Sequence, residues 1–197
     1  MQVTVIGTGY VGLVAGACFA DFGHTVTCID KDRRKIDMLR QGGIPIYEPG
    51  LEQLVHRNVR EERLSFGTEI NGSVSRSQAV FIAVGTPQSE ESGHADLSYV
   101  YGAAEEIAPA LNGFTVVVNK STVPVGTGDE VEAIIRKRAP DADFCVVSNP
   151  EFLREGAAIN DFKRPDRVVV STSRIGASAS AAVRTSARVS LGKHEPP

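Results

Sequence analysis

The sequence predicts an α/β domain, a doubly wound, mostly parallel sheet with helices on both faces. Three observations predict it. Short runs rich in Val and Ile alternate with longer helical patterns. The runs are apolar on both sides, as in Ala79-Val80-Phe81-Ile82-Ala83-Val84, which suits a sheet covered on both faces. Third, the chain opens with Val3-Thr4-Val5-Ile6, then Gly7-Thr8-Gly9-Tyr10-Val11-Gly12, then the small-residue helical segment Leu13 to Ala20.

Taken in order, strands are expected at 2–6, 25–29, 79–84, 115–119 and 144–148, with a weaker one at 167–170. Helices are expected at 11–22, 32–41, 50–58, 98–111 and 127–138. Gly23 stops the first helix and Gly42-Gly43 the second. No internal repeat is found. Sheets of this kind bind ligands outside the carboxyl ends of their strands. That rule directs attention to the loops at 7–12, 85–97, 120–125 and 149–156.

The glycine turn carries the first chemistry. Gly7 allows a tight turn, Gly9 lets the backbone approach a pyrophosphate, and Gly12 lets the new helix pack closely on its strand. The free N–H groups and the positive dipole end of that helix then face the phosphates. Eighteen residues beyond Gly12, the run Thr25 to Ile29 ends in Asp30, placed to accept hydrogen bonds from both ribose hydroxyls of an adenosine and to repel a 2′-phosphate. Arg33 and Arg34 close behind it oppose that repulsion. The Rossmann-like reading predicts NAD as cofactor; the competing one is an ordinary strand-turn-helix followed by an acid.

Composition bounds the rest. The 197 residues suit one domain or slightly more, and 42% hydrophobic residues supply ample core. A net charge of −3 gives no reason to expect nucleic acid or an anionic membrane as partner. No apolar run approaches the roughly 20 residues that span a bilayer, and the chain enters a strand at once, leaving no room for a signal peptide. Cys18, Cys28 and Cys145 are scattered without metal or redox spacing and read as buried thiols. No metal is expected, and a reducing cytoplasm fits.

Val84-Gly85-Thr86-Pro87 closes one strand, and Asn119-Lys120-Ser121-Thr122-Val123-Pro124 closes the next. Their hydroxyls could serve a cofactor, order a water, or cap the following helix. Ser148-Asn149-Pro150-Glu151-Phe152-Leu153-Arg154-Glu155-Gly156 puts two carboxylates and a guanidinium at a third strand end. A solvated face explains such charges but not their position, where the sheet expects a ligand.

These motifs, with Pro45-Ile46-Tyr47-Glu48-Pro49-Gly50-Leu51, resemble the family of UDP-glucose and GDP-mannose 6-dehydrogenases, in its order and spacing, from residue 1 to about 170. Asp161-Phe162-Lys163-Arg164-Pro165-Asp166-Arg167 is closer to the UDP-glucose branch than to the GDP-mannose branch. The resemblance implies oxidation of the sugar C6 alcohol to a carboxylate with reduction of two molecules of NAD+. A cysteine thiolate on a second domain traps the aldehyde as a thiohemiacetal, and a later thioester is hydrolysed. It further implies that Gly7, Gly9, Tyr10, Val11, Gly12, Asp30 and Lys35 hold the adenosine diphosphate half of NAD. Thr86, Thr122 and Glu155 would line the nicotinamide side. Glu151, with Thr122, would handle protons or order the water. Glu151, Phe152, Leu153, Arg154 and Glu155 would touch UDP-glucose, Arg154 closing over it. Lys35 also reads as a solvated helix lysine.

The departures matter equally. The family continues through a central helix, which supplies a lysine, an asparagine and the homo-oligomer contacts, and a second domain with the Gly-Gly-x-Cys-x-Pro-Lys-Asp nucleophile stretch. None of this is in the 197 residues. Residues 171–197 hold six Ser, five Ala and four basic residues against one acid. They are expected to be a disordered or out-of-frame tail, left by a frameshift or premature stop, after a cofactor domain at 1–170. Two readings follow: a dehydrogenase gene product lacking its nucleophile, or a stand-alone NAD-binding module without catalysis.

Overall fold

A computed structural model describes residues 1–88, 94–172 and 177–191. Six strands form one parallel sheet in the order β3-β2-β1-β4-β5-β6: β1 (Gln2–Ile6), β2 (Thr25–Ile29), β3 (Leu64–Gly67), β4 (Ala79–Ile82), β5 (Thr115–Asn119) and β6 (Phe144–Ser148). The period-two alternation of each strand divides the core. Val3, Val5, Phe81, Val116, Val118 and Val147 face one layer, while Ile6, Val80, Ile82, Val117 and Val146 face the other. Helices α1 (Tyr10–Asp21), α2 (Arg33–Arg40), α3 (Leu51–Arg60), α7 (Ala158–Lys163) and α8 (Ala177–Leu191) cover the first layer, and α4 (Asn71–Val74), α5 (Ser98–Ile107) and α6 (Thr127–Arg138) the second. A 3-10 turn, Ala108–Ala110, extends α5.

Register decides where chemistry can sit. Ile6 pairs with both Ile29 and Ile82, Ile82 with Asn119, and Asn119 with Ser148. The next residues, Gly7, Asp30, Ala83, Lys120 and Asn149, therefore leave the sheet along one edge. The strand order reverses between β1 and β4, and a crevice opens there.

The expected elements form with small shifts at their ends, and four differences have physical causes. Strand β3 is a short edge strand whose alternation, Leu64 and Phe66 inward and Ser65 outward, covers too few residues to stand out. Helices α4 and α7 are likewise short. Residues 167–170 form no strand; Val169 is exposed, and only Ser171 makes an isolated antiparallel bridge, to Ser148. The segment runs against the direction of the parallel sheet and leaves it after one bridge. The expectation of a disordered tail is corrected over 177–191, where α8 packs on β6 and β5. Ala182, Ser186, Val189 and Ser190 recur at helical spacing and are buried, and Ala carries the lowest helical cost. The remaining tail positions, 173–176 and 192–197, lie outside the described residues.

Candidate functional site

The chain enters the crevice at Gly7, whose N–H donates to Ile29 O at 2.7 Å and whose φ is +103°. A Cβ there would stand 2.4 Å from Ala83 O, so β1 and the end of β4 can approach only across a glycine. A Cβ on Gly12 would lie 2.0 Å from Gly7 O, which is the close helix–strand contact the spacing predicts. At Gly9, by contrast, a Cβ would meet nothing within 4 Å. Gly9 is the N-cap of α1 without a side-chain cap, so no capping side chain takes up the first-turn N–H groups.

Asp30 stands across from this turn. Its Oδ2 accepts from the Thr8 N–H at 2.8 Å and the Thr8 hydroxyl at 2.7 Å, and its Oδ1 accepts from the Asp32 N–H at 2.9 Å. Burial pushes the carboxyl up, but these hydrogen bonds and the Lys35 charge outweigh it and hold Asp30 below the usual carboxylate range. Three of about four acceptor positions are taken. As placed, Asp30 offers one position to a ribose hydroxyl, rather than the two that the sequence predicts. Lys35 Nζ lies 3.9 Å from Asp30 Oδ2. Arg34 is turned onto Asp32.

Gly7, Gly9, Asp30 and Lys35 line one groove of about 620 Å³ with Ile6, Ile29, Val84, Gly85 and Pro87. Tyr99 and Ala103 from α5 and Ile70 complete it, and no local sequence signal marks those three. An ionised acid at a strand end, uncapped helix N–H groups and open space above Gly9 are the features that an adenosine diphosphate requires. The residues present fit the group.

The hydroxyl loops resolve against capping. The N-cap of α6 is Gly126, with no side-chain cap, and that of α5 is Leu97. Ser121 Oγ donates to Val84 O at 2.8 Å and Thr86 Oγ1 to Thr122 O at 3.0 Å, so the two loops are laced together. Thr122 is exposed and, with the buried Asn119, lines a second cavity of about 410 Å³. Neither polar atom of the Asn119 carboxamide has a hydrogen-bond partner among the described residues.

Glu151 lines a smaller cavity of about 60 Å³ that adjoins the one lined by Thr122, the two sharing Pro150 and Val169. Glu151 Oε2 accepts from the Leu153 N–H at 2.6 Å, bracing its own turn. Phe152 is exposed, with the Arg167 guanidinium 5.8 Å from its ring. Leu153 packs on the core. Arg154 is held by Asp161, with Nη2 2.7 Å from Oδ1. Glu155 is exposed.

Sequence reasoning missed Lys120, although its place directly after a buried strand was the signal. It is 5% exposed and lines the smaller cavity, with Nζ 3.4 Å from Asn149 Oδ1 and 5.5 Å from the Phe162 ring centroid. Desolvation pulls its pKa down to about 8, against the attraction of Glu151.

Fold and groove together define a dinucleotide-binding domain of the oxidoreductase type. The chain belongs to the UDP-glucose/GDP-mannose dehydrogenase family, whose NAD-binding domain matches residues 1–185. It is 66% identical over 170 residues to the UDP-glucose 6-dehydrogenase of Rhizobium meliloti, covering 86% of this chain and 39% of that protein. It is 48% identical over 176 residues to the UDP-glucose 6-dehydrogenase of Pseudomonas aeruginosa, covering 87% of this chain and 39% of that protein. Among solved structures, a UDP-glucose dehydrogenase from Pyrobaculum islandicum superposes with a TM-score of 0.88 at 40% identity, over 95% of this chain and 43% of the other. A ternary complex of the GDP-mannose dehydrogenase of Pseudomonas aeruginosa gives 0.89 at 35% identity, over 96% and 44%. The chain spans about two fifths of the length of these relatives. Among the described residues no helix is long and apolar enough to cross a membrane.

Proposed function

We propose that this chain is the cofactor-binding part of a UDP-glucose 6-dehydrogenase, working in the cytoplasm on a nucleotide sugar. The observation that carries the reading is the common edge of the sheet, on which the Asp30 groove at the ends of β2, β1 and β4 and the Asn149–Gly156 loop after β6 both open. A bare NAD module has no use for that second loop. The branch rests on the 66% identity to a protein named for UDP-glucose.

Bound NAD+ supplies a hydride acceptor. The α1 N-terminus holds its pyrophosphate, and Asp30 orients its adenosine ribose. Thr86 and Thr122, laced together, form a polar wall at the far side of β4 and β5. Glu151 retains Oε1 to order a water or take a proton, while Oε2 braces the loop. Phe152 and Arg154 lie outermost and meet the sugar nucleotide.

A second reading, NAD binding without catalysis by these residues, is favoured by the burial of all three thiols. Calorimetry with NAD+, then with UDP-glucose on the NAD+ complex, separates the two. Binding of both ligands supports the dehydrogenase reading. Binding of NAD+ alone favours the second, and failure to bind NAD+ removes both.

A further inference from the structure

The loop between α2 and α3 holds a buried acid that the cofactor and substrate readings leave unused. Glu48 is 6% exposed, and its chain direction is set by Pro49 and by Gly50, the N-cap of α3 at φ +80°. Its Oε2 accepts from the Tyr10 hydroxyl at 2.5 Å and from the Gly156 N–H at 2.8 Å, and its Oε1 accepts from the Ala158 N–H at 2.8 Å. One carboxylate thus joins the first residue of the cofactor helix to the end of the 149–156 loop, across separations of 38, 108 and 110 residues. Helix α7 begins after Ala157, which has no side chain to cap it, and Glu48 takes over that duty from another part of the chain.

Burial pushes the Glu48 carboxyl up, yet hydrogen bonds from Tyr10, Gly156, Ala158 and Ile159 hold it below the usual range, so it accepts as an anion. The Tyr10 phenol is driven up to about 12 by burial and by Glu48, so it remains a donor at any physiological pH. Among the described residues the hydrogen-bond partners of Glu48 are all donors, with no cation among them.

We propose that Glu48 is a positioning residue that passes order from the cofactor groove to the Asn149–Ala158 loop through the Tyr10 hydroxyl. Tyr10 is the first helical residue after Gly9, which lines the cofactor groove, and its hydroxyl ends on Glu48. A ligand that fixes the start of α1 fixes the ring, and the ring fixes the carboxylate that holds Gly156 and Ala158. The coupling is one of lost mobility and is reciprocal, so an ordered loop also favours the cofactor. The inference rests on the cofactor groove; it adds the direction in which binding there is felt.

Amide hydrogen exchange on this chain, with and without saturating NAD+, tests it. In the unchanged protein NAD+ should slow exchange at Gly156 and Ala158 by roughly 5-fold or more, the lower bound of common couplings. Tyr10→Phe leaves Glu48 bonded to both amides and cuts only the link to α1. At NAD+ concentrations that calorimetry shows to saturate the variant, it should lose the NAD+-dependent slowing at both amides. Glu48→Gln, tested in parallel, should speed exchange at both amides without NAD+ and also lose the response. A merely structural cap would leave the NAD+ response of Tyr10→Phe intact, and that result overturns the proposal. So does the absence of any response in the unchanged protein while calorimetry shows NAD+ bound. If calorimetry shows no NAD+ binding at all, the groove reading fails and the proposal falls with it.

Discussion

Thr8 donates twice to one oxygen of Asp30, through its N–H at 2.8 Å and its hydroxyl at 2.7 Å. The residue between Gly7 and Gly9 thereby aims the acid that we propose reads the cofactor ribose. Thr8 is itself fully buried, so the pair is part of the fold before any ligand arrives.

That pair should set cofactor choice. NAD+ should bind more tightly than NADP+, because a 2′-phosphate would meet an ionised Asp30 while Arg34 is engaged by Asp32. Asp30→Ala should weaken NAD+ by about 1–3 kcal/mol, the range for hydrogen bonds to a charged group. Calorimetric titration of both cofactors decides it, and tighter NADP+ binding in the parent chain would reverse the assignment.

Two glycines of the turn should separate stability from binding. Gly12→Ala drives a Cβ to 2.0 Å from Gly7 O, and backbone tied to Ile29 cannot retreat cheaply. A loss of about 3 kcal/mol or more in urea denaturation is expected, at the upper end for overpacking. Gly9→Ala meets nothing within 4 Å and should keep stability within about 0.5 kcal/mol. It should nevertheless weaken NAD+, because its methyl enters the space above the turn. Equal destabilisation by both variants would contradict this account.

Lys120 should contribute a stability that rises in mild alkali, opposed above pH 9 by the buried Cys18 and Cys28 thiols. Below pH 8 both folded and unfolded chains hold its proton, and the cost of burying the charge is fully felt. Between about 8 and 10.5 the unfolded chain still holds the proton while the folded chain has released it, so stability increases with pH. The gain is roughly 3 kcal/mol when complete. From pH 7 to pH 10 the urea midpoint of Lys120→Met should fall relative to that of the parent, because the buried Cys18 and Cys28 thiols lose stability over the same range without the offsetting gain from Lys120. Identical pH profiles would remove Lys120 as the cause.

The thiols should be inert in the folded chain. Desolvation pushes Cys18 and Cys28 up to about 12, and Cys145 is buried within β6. A chromogenic disulfide reagent should report no rapid reaction in buffer and three thiols in denaturant. For the same reason the purified chain should form no UDP-glucuronate from UDP-glucose and NAD+. A fast native thiol, or sustained product, would show that a nucleophile is present among these residues.

What could be read in the sequence was whatever repeats over a short span. The glycine spacing, the β-branched runs and the stops at Gly23 and Gly42 are local, and each appears where the pattern predicts it. Strand β3 escaped because Leu64 to Gly67 is too short for a period to show, and α8 because Ser and Ala read as linker until a sheet face receives them.

The sequence by itself determined the class of the fold, the glycine turn and the acid at the end of β2, because steric limits and strand periodicity act within a few residues. Tertiary structure alone decided who meets whom along the sheet edge. Glu48 reaches Gly156, and Lys120 reaches Asn149. Strand order and register are set by packing between segments far apart in the chain, and no local pattern carries that information.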